Sequence, residues 1–225
     1  MLVDRELLKQ INLPGGLVAA TVPHFSYAAA GQRVASLKSV PFSVSQERVD
    51  EFQAAVKTKG AVFEARPFQA SAVAAIYCDP VAGDLARNRF GTVLTKRLER
   101  FGAHARPVVC AREEEAQLAE AIVSLANTNP AGILIASTMA PAGPEDVVGR
   151  AMRRAGCLAE RFLAPVEPGN LFLLGYRDAV PVISAPGCFH SAKPNVLDLV
   201  LPPVLAGYRV TAWDIAGLGH GGLLE

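Results

Sequence analysis

From residue 71 onward the chain alternates short apolar runs with amphipathic stretches, and that alternation restricts its fold more than any other feature. Residues 72–77 form an apolar run that ends in Asp79-Pro80 and Gly83. Residues 90–101 place Phe90, Val93, Leu94, Leu98 and Phe101 on one helical stripe, closed by Gly102. Residues 106–110 read as a second strand. Residues 113–126 read as a helix with three glutamates in its first turn, at the positive end of its dipole. Residues 132–136 form a wholly apolar third strand. Residues 144–155 predict a helix striped by Val147, Val148, Ala151, Met152 and Ala155, and stopped by Gly156. Residues 161–164, 171–175 and 180–184 read as further strands. Residues 195–201 begin a terminal helix that Pro202-Pro203 interrupt. Apolar strands separated by amphipathic helices predict an α/β fold: a three-layer, doubly wound, mostly parallel sheet covered on both faces.

The N-terminal residues are organised differently. Residues 16–22 and 33–44 are Val-, Ala- and Ser-rich stretches broken by Pro and Gly, and read as strands. Residues 46–57 carry Val49, Phe52, Ala55 and Val56 at helical spacing, ended by Lys59-Gly60. Residues 61–65 read as one more strand, and Pro67 breaks the pattern. Residues 1–67 are therefore expected to form a small β-containing unit, and residues 68–225 the α/β domain.

Composition removes several classes of function. Lys and Arg number 22 and Asp and Glu 21, so the net charge is +1, which argues against a dedicated nucleic-acid binder. The hydrophobic share of 51% excludes a disordered chain. No apolar run reaches the roughly 18 residues of a membrane span, so no membrane partner is expected. The opening Met-Leu-Val-Asp-Arg-Glu carries no secretory apolar core, and Cys78, Cys110, Cys157 and Cys188 are widely spaced. They read as reduced thiols in a cytoplasmic protein. The apolar fraction favours a homo-oligomer, a dimer or a trimer. Residues 1–112 carry a net +6 and residues 113–225 a net −5, with the basic excess concentrated between Arg87 and Arg106. Such a stretch is either a solvated helix face or an attraction for an anionic small ligand.

A doubly wound sheet binds ligands at the carboxyl ends of its strands, so the strand-to-helix junctions carry the functional argument. In the most informative, residues 135–146, an apolar strand runs through Ser137, Thr138 and Gly143 to Pro144, Glu145 and Asp146. Gly143 is free to take a backbone conformation closed to other residues, and Pro144 suits a first helical position. Free amides at a helix start favour an anion. Glu145 and Asp146 would repel a bare phosphate, which a divalent cation or a ligand with amine donors would reconcile. Both acids would equally serve only to stabilise a helix N-terminus. At residue 79 an acid follows the first strand directly, with Asp84 and Asn88 beyond it. Pro168-Gly169-Asn170 is a turn, and Pro186-Gly187 ends a strand before Cys188, His190, Ser191 and Lys193. Cys188 and His190 stand too close along a loop for a thiol–imidazole pair, whereas His190 and Lys193 suit an anionic ligand. There is no phosphate-binding Gly-rich loop, HExxH or GxSxG motif.

The order and spacing of these junctions over residues 71–206 resemble the molybdopterin-binding domain of molybdenum-cofactor biosynthesis proteins. The resemblance rests on Asp79, on Ser137 to Asp146, on Pro168-Gly169 and on Pro186-Gly187. Residues 163–175, 183–198, 205–207 and 31–42 look closest to an uncharacterised branch of that family, whose members are longer at the N-terminus. The departures are Ala136-Ser137 where the family has a double glycine, Arg87 where an acid is common, and Cys188 where Asn or Ser is common.

The resemblance implies binding of molybdopterin, a phosphorylated pterin, in molybdenum-cofactor biosynthesis or handling. Ser137, Thr138, Gly143, Asn88, Gly169, Asn170, Pro186, Gly187, His190 and Lys193 would hold the ligand. If the chain is an enzyme, it would be a transferase like the molybdopterin adenylyltransferases or molybdenumtransferases. Asp146 and Asp79 would then be the catalytic carboxylates and the ligands of Mg2+, with ATP as co-substrate. The alternatives are a non-catalytic carrier or sensor of the cofactor, and a hydrolase of a nucleotide-like pyrophosphate on the same fold.

Overall fold

A computed structural model describes residues 1–39, 43–69, 72–79, 84–137, 141–191 and 193–224. The chain divides into two units, Met1–Pro67 and Phe68–Glu225.

In the first unit, β1 (Leu2–Val3) pairs antiparallel with β4 (Phe63–Glu64), and β2 (Leu17–Thr21) pairs antiparallel with β3 (Ala35–Ser39). Helix α1 (Arg5–Asn12) was not legible as a helix. It is capped by Asp4, whose side chain accepts from the Leu7 amide, and it buries Leu7 and Ile11. Helix α2 (Gln46–Lys59) starts at the Ser45 cap and ends at Gly60.

The second unit is α/β, with helices on both faces of a mostly parallel sheet. Its elements are β5 (Ala72–Cys78), α3 (Asp84–Glu99), β6 (His104–Ala105), β7 (Val109–Ala111), α4 (Glu115–Ala126), β8 (Gly132–Ser137), α5 (Val147–Arg154), β9 (Leu158–Phe162), β10 (Leu173–Arg177), β11 (Val180–Ser184), α6 (Val196–Leu205) and α7 (Ala212–Gly217). The sheet order is β6-β5-β8-β11-β10-β9, with β7 also on β5. Strands β6 and β7 pair with opposite ends of β5, at Ala72–Val73 and at Ile76–Cys78, so they act as one strand interrupted at Arg106-Pro107. The pairings of β5 with β6, β7 and β8, and of β8 with β11, are parallel. Those of β10 with β11 and with β9 are antiparallel.

Alternate residues of the central strands face opposite layers. Ala74, Ile76 and Cys78 of β5 and Ile133 and Ile135 of β8 join Leu118 and Ile122 of α4 and Val148 and Met152 of α5 in one core. On the other face Tyr77 meets Phe90 of α3 with ring centroids 5.8 Å apart, and Phe90 meets Phe189 at 5.0 Å. Helices α3 and α6 are tied together on that face by the buried pair of Arg97 and Asp198.

Several local expectations are corrected. Helix α5 begins at Val147, three residues beyond Pro144, because Asp146 supplies the cap: its side chain accepts from the Gly149 amide. Helix α4 begins at Glu115, so only one of the three glutamates lies in its first turn. Strand β9 covers 158–162 rather than 161–164. Helix α6 runs through Pro202 and Pro203 to Leu205. Every residue of α6 except Asp198 and Leu199 is buried, and that burial outweighs the two lost amide donors.

Candidate functional site

The carboxyl ends of the parallel strands lie on one rim. Cys78 is in register with both Ala111 and Ser137, and Ser184 with Ile135, so Asp79, Arg112, Ser137 and Ala185 all leave the sheet on the same side. The Ala185 amide donates to the Ile135 carbonyl at 2.8 Å, and the Asp79 amide to the Ala111 carbonyl at 3.3 Å. Strand β9 also ends on this rim, because Phe162 pairs with Leu173 and Leu173 with Ser184. The chain leaves β5 through α3 towards β7 on one side, then crosses through α4 to β8 on the other. That reversal opens a crevice beside β5 and β8.

On the α4 and α5 face of this rim lies a cleft of about 610 Å3. Its lining includes Arg112, Glu113, Ser137, Ala142, Asp146 and Arg150. The Ser137 hydroxyl donates to Glu113 Oε1 at 3.4 Å. Arg112 is 3.8 Å from Glu114, and Arg150 Nε is 3.1 Å from Glu115 Oε2. Arg112 and Glu114 are largely solvated, so that pair holds Arg112 weakly, whereas Arg150, about half-exposed, also donates from Nη1 to the Glu145 carbonyl. The cleft lining thus carries two cations, Arg112 and Arg150, and three carboxylates, Glu113, Glu114 and Asp146, with Glu113 beside the end of β8.

Asp146 lines the cleft, but its carboxylate serves the loop. Oδ1 accepts from the Gly149 amide at 2.7 Å, and Oδ2 accepts from the Ala142 and Gly143 amides at 2.8 and 3.4 Å. Gly143 is therefore held by Asp146. Its φ lies outside the left-handed region and no atom comes nearer than 3.9 Å to where a Cβ would stand, so no special conformation is needed there. Glu145 turns to Arg153. Asp79 receives the Tyr77 hydroxyl at 3.2 Å. Among the described residues no three His, Cys, Asp or Glu side chains are placed to hold a metal ion. Asp146, one of the two carboxylates expected to bind Mg2+, has both oxygens engaged by backbone amides and does not fit that role as it stands.

The other expected residues are distributed along the rim. Thr138 lies outside the described residues. Asn88 is exposed on α3, with its carbonyl accepting from the Thr92 hydroxyl at 2.9 Å. Gly169 is buried at φ +124°, where a Cβ would stand 2.8 Å from a methyl carbon of Val196, so the position admits only glycine. The Asn170 carbonyl accepts from the Ala164 amide, which closes the β9–β10 loop. The Pro186 carbonyl accepts from the Phe189 amide, and Gly187–His190 forms a 3-10 turn packed against α3. His190 is held below its ordinary pKa, by burial first and by the Arg89 charge second. Lys193 is exposed. Asn88, Gly169, Asn170, Pro186, Gly187, His190 and Lys193 do not line the cleft, whereas Ser137 and Asp146 do.

Arg112, Glu113 and Arg150 are cleft residues that the sequence reading missed: Glu113 was read only as favouring a helix dipole, and Arg112 and Arg150 were given no role. The available signal was position: Arg112-Glu113 follows the last residue of β7 directly. Cys78, beneath the rim, has its thiol pushed up to about 12, first by burial and then by the charges of Glu113 and Asp79.

No family model matches the chain, and no curated protein matches it. Among solved structures it is similar to the molybdopterin biosynthesis MoeA protein from Pyrococcus horikosii, with 17% identity and a TM-score of 0.48. The likeness covers 70% of this chain and 40% of that one, so the chain spans less than half the length of that protein. A likeness of that size establishes neither a shared site nor a shared activity.

Proposed function

We propose that the second unit binds a phosphorylated pterin of the molybdopterin type in the rim cleft, in the biosynthesis or handling of the molybdenum cofactor. The observation that carries this reading is the pairing of opposite charges in one small-molecule-sized space: Glu113 stands by Ser137, and Arg112 and Arg150 line the same cleft. A volume of about 610 Å3 lies within the range of small-ligand sites. A pterin presents ring N–H and amino donors at one end and a phosphate at the other. Glu113 accepts from the donor edge, and the guanidinium of Arg112 takes the phosphate. The start of α5 is closed to the phosphate, because Asp146 already occupies the Gly149 amide. The sequence resemblance of the junctions supports the same ligand class.

The reading stops at binding. One of the two carboxylates that group transfer would call on, Asp146, is engaged by three backbone amides. Thermal unfolding tests it. Molybdopterin at about 100 times its Kd stabilises a one-site binder by about 2.7 kcal/mol, read as a raised Tm. Glu113→Gln is expected to lose most of that rise with little change in the ligand-free Tm. An unchanged Tm in the wild-type protein at saturating molybdopterin would remove the proposal.

A further inference from the structure

The large apolar side chains that the second unit leaves exposed, among its described residues, are gathered at one edge of its sheet. They are Leu158 on β9, Leu163 and Leu171 in the β9–β10 loop, Trp213 on α7 and Leu223 in the tail. Trp213 is 85% exposed, Leu223 81% and Leu158 75%.

Hydrogen bonds join these elements into one surface. The Ala212 amide donates to Glu160 Oε1 at 2.8 Å, which holds α7 against β9. The Glu167 amide donates to the Gly222 carbonyl at 2.7 Å and the Leu224 amide to the Glu167 carbonyl at 2.7 Å, which hold the tail against the loop. An exposed indole alone accounts for about 200 Å2 of apolar surface, and scattered single leucines would need no explanation. Together the five reach several hundred Å2. With a polar rim added, that approaches the roughly 800 Å2 that each partner of a standard interface contributes.

Strand β9 ends the sheet, with β10 as its neighbour. Its ladder slips at Glu160: Ala159 pairs with Gly175 and Arg161 with Leu174, leaving Glu160 as an extra residue. A bulge of this kind twists an edge away from further strand pairing. The surface is therefore met by side chains rather than by an added strand. Its charges are largely met within the chain: Arg209 lies 3.5 Å from Glu160, and Asp214 closes the capping box of α7 with Thr211. A lipid or nucleic-acid surface calls for an excess of positive charge, which this edge lacks, whereas a two-fold contact sets an apolar patch against its own copy and needs no net charge.

We propose that two copies of the chain meet at this edge about a two-fold axis, with Trp213 as the anchor. The inference is independent of the cleft and its ligand. Trp213 is the only tryptophan of the sequence, so its fluorescence reports the contact directly.

Light scattering on the full chain is expected to give twice the 23.7 kDa chain mass in the micromolar range. Over the same concentrations Trp213 emission moves to shorter wavelength and iodide quenching falls. Trp213→Asp and Leu158→Asp each weaken the dimer by at least roughly 30-fold, the scale of an interface hot spot. Both sites are exposed, so the ligand-free Tm is kept. Leu13→Asp, at an exposed leucine of the first unit, leaves the dimer intact. Three results overturn the proposal: a single-chain mass throughout the micromolar range, a mass of three chains, or a dimer in which Trp213 stays fully quenchable. If Trp213→Asp fails to fold, the quenching measurement on the unaltered chain decides.

Discussion

Asp146 shows how one residue can satisfy a functional pattern for a structural reason. A carboxylate at the head of the helix after the third parallel strand fits a ligand site, and it fits an N-cap equally well. Three amide donors choose the cap. Asp146→Ala is expected to cost about 1 kcal/mol, within the roughly 0.5–2 kcal/mol of lost caps, and to loosen residues 142–143 as well. Asp146→Asn keeps an oxygen acceptor for Gly149 and costs less. Urea unfolding of the two variants separates the cap from the charge. An Asn variant as unstable as the Ala variant would show that the charge, not the acceptor, matters. Glu113 presents the complementary lesson. It carries no periodic or motif signal, yet it stands in the cleft because it is the second residue past a short strand end.

At the scale of elements, the α3–α6 contact rests on a buried ion pair. The Arg97 side chain is 5% exposed and that of Asp198 10%. Arg97 Nε has no hydrogen-bond partner among the described residues, while Nη2 donates to the carbonyls of Phe189 and Ser191. Asp198 also accepts from the Asn195 amide in the capping box of α6. Asp198→Ala therefore leaves a buried guanidinium without its counter-charge, and about 3–5 kcal/mol of stability is expected to be lost. Arg97→Met with Asp198→Asn is expected to recover a large part of it. Denaturant midpoints of the single and double variants decide, and a near-neutral Asp198→Ala would contradict the pair's role.

The elements also show where sequence reading works. Strands β5 and β8 and helices α4 and α5 were legible because apolar runs and 3.6-residue stripes are local signals. The antiparallel turn of β10 and β11 was not. Both segments read as buried strands, but direction depends on the short link through Asp178, which adopts φ +53°. The passage of α6 through Pro202 and Pro203 was illegible for a related reason: burial of the whole helix is a tertiary effect. The cleft was half legible. Ser137 and Asp146 came from their junction, whereas Arg112 and Arg150 became neighbours only when α4 and α5 packed side by side.

At the scale of the whole molecule, buried acids of high pKa set an alkaline limit. The Cys78 thiol is pushed up to about 12 and Cys157 to about 11, both chiefly by burial, from an ordinary value near 9. Burial likewise raises the Tyr176 phenol to about 12 from near 10. Each group stays protonated in the folded chain at a pH where the unfolded chain has released its proton. Their share of stability is complete below about pH 9 and is lost as pH rises towards 11–12. Urea midpoints are expected to fall between pH 8.5 and 10.5. A flat profile would show that these groups are less enclosed than the fold indicates. No described helix is long and apolar enough to cross a membrane.

The central claim is that the rim cleft between the entrances to α4 and α5 holds a phosphorylated pterin. Crystals of the full chain soaked with 6-hydroxymethylpterin phosphate test it most directly. The account predicts difference density within the cleft, with the pterin donor edge on Glu113 and the phosphate on Arg112. Density only at the 3-10 turn around His190, or none at saturating ligand, would contradict it.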